Sequence, residues 1–540
     1  MKKTIYFNGK VITVNEENSV MQAILVQEGR IAKVGTNDEV LALKDETTEL
    51  VDLEGKAVVP GFVDPHGHIV AISQTLLLVQ LQEVNSKEEY KETLRKSLAE
   101  SPKKDGEWLI GFGYDNSKFE DNLHPTKFDL DEISSEVPIM TTHASGHIAV
   151  VNSRGLELLG YSGDNYEVPE GGVVQTVGDT NEPNGILEEN ACLDKSKQAL
   201  ITPPSFESVL ASFRKAQELY ASLGVTTAQD ASVDTGYHQL LMGASQMNSL
   251  LIDIVGLAVQ PVTAQLLTNE GTPKREYNNH YKLLGGKTWL DGSPQGKTAW
   301  LTQPYYEVPE GQPADYCGYG TQTDEVVTEY FKTCIENNWQ ANVHCNGDAS
   351  ADQFIRCYRK ALELAPKTVD LRPVMVHAQT VREDQLDDMK ELGIIPTFFL
   401  DHVWFWGDYH YESVFGPERS QKISPAKSAL DRGIKFTLHQ DPPVKLPNQL
   451  LGIHNAVNRQ TQSGRVLGED QKISVIDALR AVTINGAHQY FEEDIKGTIE
   501  EGKYADLVIL EKSPLEVDVT EIKNIKIVET IKEGNTVFKA

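Results

Sequence analysis

The sequence predicts an α/β protein: a (β/α)8 TIM-type barrel with an insertion, plus a small β-sandwich built from the N- and C-terminal segments. Three observations carry this prediction. Both ends read as short strands broken by turns. The middle repeats amphipathic helix, stop residue and short apolar strand. Polar residues then recur at one station just after those strands.

At the N-terminus, Ile5-Tyr6-Phe7, Val11-Ile12-Thr13-Val14, Ala23-Ile24-Leu25-Val26 and Ile31-Ala32-Lys33-Val34 are strand-like, with Asn8-Gly9 and Glu28-Gly29 as turns. The C-terminus repeats this in Asp506–Leu510, Ile525–Val528 and Val537-Phe538. Neither end has enough strands to stand alone, so the two are expected to pair. The expected domains are 1–57 with 490–540 for the sandwich and 58–489 for the barrel, with an insertion roughly within 70–200, where the repeat is lost.

Within the barrel, Val209, Leu210, Phe213, Ala216, Leu219, Tyr220 and Leu223 form a helical stripe, Gly224 stops it, and Val225-Thr226-Thr227 leads to Gln229-Asp230. A second helix carries Val326 to Ile335, and after Asn337-Asn338 a strand runs to His344. A third opens at Thr380-x-x-Glu383, read as a capping box, and stops at Gly393. A fourth starts at Ser424-Pro425, stops at Gly433, and feeds Ile434–Leu438 into His439-Gln440-Asp441. Alternating helices and strands imply a parallel sheet, and polar groups after the strands imply a site at one rim. A doubly wound sheet would carry a glycine-rich phosphate loop after its first strand, and none is present there.

Composition excludes several classes. The 540 residues include 79 acidic and 50 basic side chains, a formal charge of −29, with no basic run to meet a phosphate backbone or an anionic membrane. No apolar stretch reaches the roughly 18 residues of a membrane span. The N-terminus turns polar before a signal-peptide core forms. Five cysteines without a Cys-x-x-Cys pair argue against a disulfide framework and a thiolate zinc site. The expectation is a cytoplasmic protein acting on a small molecule, with a homo-oligomer left open.

The strongest local signal is Val58 to His68, an apolar strand ending in His66-Gly67-His68, whose imidazoles at i and i+2 of an extended chain point the same way and suit one cation. His344, His377 and Asp441 end later strands, and Lys287 lies in Gly285–Ser293. Singly, each reads as a satisfied polar group or a solvated lysine. Together, at the same station of successive units, they read as a site.

In these segments the sequence resembles the metal-dependent amidohydrolase superfamily, and within it the YtcJ-like, amidohydrolase-3 branch related to N-substituted formamide deformylase. The matching segments are P-G-F-V-D-P-H-G-H at 60–68, G-H-I-A-V-V-N-S at 146–153, G-V-T-T at 224–227, D-G-S at 291–293, H-C-N-G-D at 344–348, V-H-A-Q at 376–379, H-Q-D-P-P-V at 439–444 and K-G-T-I-E-E-G-K-Y-A-D-L-V-I-L at 496–510. Cys345-Asn346, Ser350 and Pro442 depart from the usual branch pattern and bear on pocket shape.

The resemblance implies a barrel flanked by a sandwich. It also implies that His66, His68 and Asp441 hold one divalent metal, that His344 and His377 hold a second, and that Lys287 bridges them as its carbamate. Zinc suits the imidazole and carboxylate donors, and Mn, Fe or Co fit the same set. The implied reaction is hydrolysis of a non-peptide C–N bond (amide, N-substituted formamide or cyclic amide), with Asp441 moving the proton. The same site suits deamination, lactone opening or decarboxylation, and a non-catalytic binding barrel is the other class. His147 is a candidate for contacting the substrate or its oxyanion, with His143 nearby. His439, two residues before Asp441, is a candidate for a supporting or substrate-contacting role. Asp64 is a candidate for orienting a ligand imidazole. Two aromatic groups, Trp404, Phe405, Trp406, Tyr409 and Tyr411, and Trp300, Tyr305, Tyr306, Tyr316 and Tyr319, are placed either to wall an apolar pocket or to pack under long loops. Asp115, Glu188 and Arg459 fall in family-like segments without a role readable from the sequence.

Overall fold

The computed structural model describes all residues except 1–2, 105, 144–147, 163–165, 170–171, 190, 192–205, 273, 310 and 366–369. The chain divides into two compact units, Met1–Ala71 with Ala216–Ala540, and Ile72–Lys215.

In the first unit, eight parallel strands follow one another in chain order: β1 Phe62–Val63, β2 Val225–Val233, β3 Asp253–Val259, β4 Tyr281–Trp289, β5 Gln340–Cys345, β6 Val374–His377, β7 Ile395–Phe398 and β8 Thr437–Leu438. This is the curled sheet of a TIM-type barrel. The strands are almost wholly buried, as parallel strands covered on both faces must be. The segments following β1 and β8 meet where the His68 N–H donates to the Pro442 carbonyl at 2.9 Å. The predicted stop residues do their work. Asn338 and Gly393 cap their helices in the left-handed conformation, and Gly224 at φ +80° leaves no room for a Cβ, which would meet Phe62 at 2.8 Å.

Two sheets from the chain ends form the sandwich. One has strands Arg30–Gly35, Ala23–Gln27, Lys3–Phe7 and Thr48–Asp52; the other has Asn535–Lys539, Ile527–Lys532, Leu507–Leu510, Ala57–Pro60, Lys10–Ile12 and Val20–Met21. Tyr6, Val26 and Ile31 of the first share a core with Val11, Val58, Leu507, Ile509 and Ile531 of the second. Strand Ala57–Pro60 pairs with both Leu507–Leu510 and Lys10–Ile12, so the chain leaves the sandwich at Gly61 and enters β1 at once.

The second unit occupies the connection between β1 and β2. Its six-stranded sheet runs Gly172–Thr176, Pro183–Glu189, Ile148–Val151, Ile139–His143, Leu109–Tyr114 and Val79–Gln80. Helix Lys87–Glu100 adds Tyr90 and Leu94 to a core that includes Leu109, Ile139 and Val150.

Two local expectations are corrected. The third barrel helix spans Glu383–Leu392, its box closed by the Arg382 N–H donating to Gln385 Oε1 at 2.9 Å. Thr380 instead donates its hydroxyl to the Asn346 carbonyl, which ties the loop after β6 to that after β5. And His66-Gly67-His68 is not extended: the chain turns there, immediately after the two-residue strand β1.

Candidate metal centre

That turn brings the two imidazoles together by a different route from the pleat of a strand. Their rings lie 5.4 Å apart at 77°, and His66 Nε2 and His68 Nε2 stand 3.4 and 3.3 Å from the same oxygen, Asp441 Oδ1. Gly67 allows the close approach, since a Cβ there would meet Asp64 Oδ2 at 2.5 Å and Pro442 Cδ at 3.0 Å. Across the barrel His377 Nε2 lies 3.9 Å from Asp441 Oδ2. His66, His377 and Asp441 each bring one ligand atom within 4.8 Å of the others. Lys287, on β4, reaches His66 Nε2 at 3.2 Å. His344 packs its ring 4.6 Å from that of His377 and lies 3.2 Å through Nδ1 from Asp291. His439 is fully buried between His66, His377 and Phe399, 5.0–5.1 Å ring to ring, with neither nitrogen hydrogen-bonded among the described residues.

A fixed chain of hydrogen bonds sets the protonation of His66. The Tyr490 hydroxyl donates to the Asp64 carbonyl at 2.8 Å, so it accepts from Gln229 Nε2 at 3.0 Å. Gln229 therefore turns Oε1 towards His66 Nδ1, 2.9 Å away, and that nitrogen carries the proton. His66 Nε2 is left as a lone pair facing the Asp441 carboxylate. His68 Nδ1 meets Ser232 Oγ at 2.8 Å.

Burial dominates the electrostatics. It pushes the Lys287 amine down to about 7 against the pull of Asp441, and His439 down to about 3. It holds His66 and His377 well below the usual imidazole range. Burial acts on Asp441 in the opposite sense, but the contact with His68 and the neighbouring His66 and His377 keep this carboxylate well below its ordinary value. His377 and Asp441 both sit at positive φ, 72° and 53°, a sparsely populated conformation for residues with a side chain.

The structure thus brings together His66, His68, Lys287, His344, His377, His439 and Asp441. Asp64 is buried but accepts from the backbone N–H of His66, not from an imidazole. The ring-orienting role falls to Gln229, which the sequence marked only as a polar residue after its strand, and to Ser232, which it did not mark. Their one signal was position, at the rim end of β2. His147 lies outside the described residues. His143 belongs to the second unit, 3.9 Å from Asp115, and Glu188 there accepts from Gln175. The buried Arg459 donates to the carbonyls of Leu467, Ser424 and Ile423, holding a loop.

The aromatic groups divide. Tyr305, Tyr316 and Tyr411 pack with Leu301, Val403, Val414 and Phe415 beneath the rim loops, while Tyr306 and Tyr319 are exposed. Trp406 approaches the site, its ring 5.5 Å from His402 and 6.1 Å from Phe399. No helix among the described residues is long and apolar enough to cross a membrane.

Comparison with known proteins agrees with this architecture. The chain is 26% identical to YtcJ of Bacillus subtilis (strain 168) over 555 residues, covering 99% of each. It is equally similar to N-substituted formamide deformylase of Arthrobacter pascens, 26% over 548 residues, with 99% of this chain and 98% of that protein covered. In fold it resembles an uncharacterized metal-dependent hydrolase from Pyrococcus furiosus, with a TM-score of 0.76 and 24% identity over 95% of this chain and all of the other. The amidohydrolase family model, Amidohydro_3, matches residues 49–538, and the chain belongs to that family.

Proposed function

We propose that this amidohydrolase-family hydrolase uses a divalent metal to cleave a non-peptide C–N bond of a small molecule (an amide, an N-substituted formamide or a cyclic amide), with Asp441 as general base and acid. The observation that carries the reading is the facing of lone pairs. His66 Nε2, deprotonated because Nδ1 donates to Gln229, points at an ionised carboxylate oxygen 3.4 Å away. Two lone pairs at that distance repel, the Lys287 amine 3.2 Å from His66 Nε2 meets the imidazole side, and imidazole with carboxylate is a donor set that suits zinc, with Mn, Fe or Co as substitutes.

His66, His68 and Asp441 would hold one ion and His344 with His377 a second, His377 being close enough to Asp441 to share the first. A bound divalent ion supplies Lewis acidity and brings the pKa of water down towards about 7. Asp441 takes the proton from the attacking water and returns it to the departing nitrogen. With its amine at about 7, Lys287 is able to attack CO2 and lose a proton, and the resulting anionic carbamate would add a ligand to the metal-holding set. His147 is assigned to a substrate or oxyanion contact, and His439 to a supporting or substrate-contacting role. The substrate carries an apolar or aromatic part against Phe399 and Trp406, and the protein works in the cytoplasm, without nucleic acid or membrane and with a homo-oligomer compatible. The full-length similarity to N-substituted formamide deformylase supports the choice of bond.

Purified protein should contain one or two equivalents of transition metal and hydrolyse N-substituted formamides or simple amides. A chelator should abolish the activity and zinc restore it. A well-folded, metal-free and fully active protein would overturn the assignment.

A further inference from the structure

The chain beyond β7 holds a second group of buried polar side chains that the proposed mechanism does not use. Helix Asp401–Tyr409 runs directly into a π-helical turn, His410–Val414. Such turns pack less well than α-helix and recur at functional positions. This one starts at a histidine that is fully buried and has no hydrogen-bond partner among the described residues at either ring nitrogen. His402, on the same helix, is 4% exposed, has no partner at Nδ1, and lies 5.9 Å from His410 ring to ring.

The two imidazoles lead away from the metal centre in a row. His402 is 6.3 Å from His377 and 4.3 Å from Phe399, and Phe399 is 5.1 Å from His439. Whatever its tautomer, a neutral imidazole has one N–H to give and one lone pair to fill. Burying both unfilled is costly, and an apolar side chain would pack there at no such cost. Among the described residues neither ring has a carboxylate within ion-pairing distance that would keep it charged, and burial depresses both. The nearby Lys445 ammonium is set over the rings of Phe405 and Trp406, 3.7 and 5.2 Å from their centroids.

We infer that His402 and His410 form a specificity subsite that binds an uncharged hydrogen-bonding group of the substrate, a hydroxyl or carboxamide, carried a few carbons away from the scissile bond. Donor and acceptor would both be filled by such a group. An anion would find no cation there, and a methyl group would leave both imidazoles unpaired. This inference rests on the metal centre being the reaction site.

The test uses N-(3-hydroxypropyl)formamide and N-butylformamide, which differ by a hydroxyl in place of a methyl. Binding of each is measured by calorimetry to the zinc-loaded full chain carrying Asp441→Asn, which slows turnover, alone and combined with His410→Leu, His402→Leu or His410→Gln. The hydroxyl compound should bind about ten-fold more tightly to Asp441→Asn. That preference should shrink to within about two-fold with either leucine and survive in part with glutamine. The melting temperature of His410→Leu should equal or exceed that of the parent, because an unpaired buried ring has been removed. No preference in the parent, a preference that persists in His410→Leu, absence of binding by both compounds, or a lower melting temperature for His410→Leu would each overturn the subsite. Turnover of the same formamides by the wild-type protein tests the reaction separately. A hydroxyl preference in binding without hydrolysis would remove the proposed function and leave the subsite standing.

Discussion

The two rims of the barrel carry buried polar clusters of similar density and opposite character. At the rim where the strands begin, Asp253 opens β3 and Lys282 lies in β4. Lys282 pairs with Glu492 at 2.5 Å and Lys496 with Glu492 at 3.1 Å, while Lys496 also meets Asp253. Lys532 lies 2.8 Å from Asp253 and 3.0 Å from Asp506. Three buried ammoniums thus face three buried carboxylates. Burial would raise Asp253, but Lys496 and Lys532 keep it well below the ordinary carboxylate range. At the opposite rim, His66, His68 and His377 gather round Asp441, with the His66 Nε2 lone pair turned towards the carboxylate, and His439 has no partner among the described residues.

Spacing alone does not separate the two. Asp253, His280 and Glu533 bring one ligand atom each within 4.8 Å, as His66, His377 and Asp441 do. A cation at the first group would have to displace the two ammoniums already on Asp253. At the second, it would relieve the facing lone pairs. What marks a metal site is the charge that its donors still lack, and one rim has it closed where the other leaves it open.

Substitutions test this contrast. The largest effect is expected at the open rim: Asp441→Asn keeps an oxygen donor but loses the base, so kcat should fall about 10²- to 10⁴-fold with metal content retained, measured by steady-state kinetics beside metal analysis. At the closed rim, Asp253→Asn leaves Lys496 and Lys532 buried without their shared counter-charge. Denaturant unfolding should report a loss of about 3–5 kcal/mol, and metal content per folded chain should not change.

A smaller effect is expected where the open rim is oriented. Gln229→Ala frees the His66 tautomer and should weaken zinc binding about 10- to 100-fold in a competition titration with a chromophoric chelator. Tyr490→Phe, which frees Gln229 to rotate, should act in the same direction and less. The smallest is the pH response of Lys287. Its amine is held at about 7 by burial, so the reactive neutral form grows as pH rises. The neutral fraction goes from about a tenth at pH 6 to about nine tenths at pH 8. At fixed dissolved CO2, the rate at which a CO2-depleted, zinc-supplied protein regains activity should rise up to about nine-fold over that interval. A rate that is flat or falling would remove the carbamate from the account.

Much of the fold was legible because its signals are local. Gly224, Gly393 and Asn338 stop their helices for reasons of backbone conformation, and alternating apolar runs at both ends outline the sandwich. The rim station was legible too, since a barrel places the residues after each strand on one side. The rest depended on contacts distant in sequence. Gln229 reaches His66 across 163 residues and Tyr490 reaches Asp64 across 426, and no spacing rule links such pairs. The bend at Pro65 and His66 was hidden because Pro60–Val63 reads as one strand running on into the motif, whereas the structure divides it between two sheets at Gly61. Thr380 matched the capping pattern, but a tertiary acceptor, the Asn346 carbonyl, took its hydroxyl. His402 and His410 gave no signal in the sequence, because their burial exists only once the helical segment after β7 has packed.

Metal content of the purified protein, measured by inductively coupled plasma mass spectrometry on wild type, His66→Ala and Asp253→Asn, tests the central claim most directly. The account predicts one or two equivalents in wild type, none in His66→Ala, and the wild-type value in folded Asp253→Asn. An active wild-type protein without metal, or metal lost with Asp253→Asn and kept with His66→Ala, would contradict it.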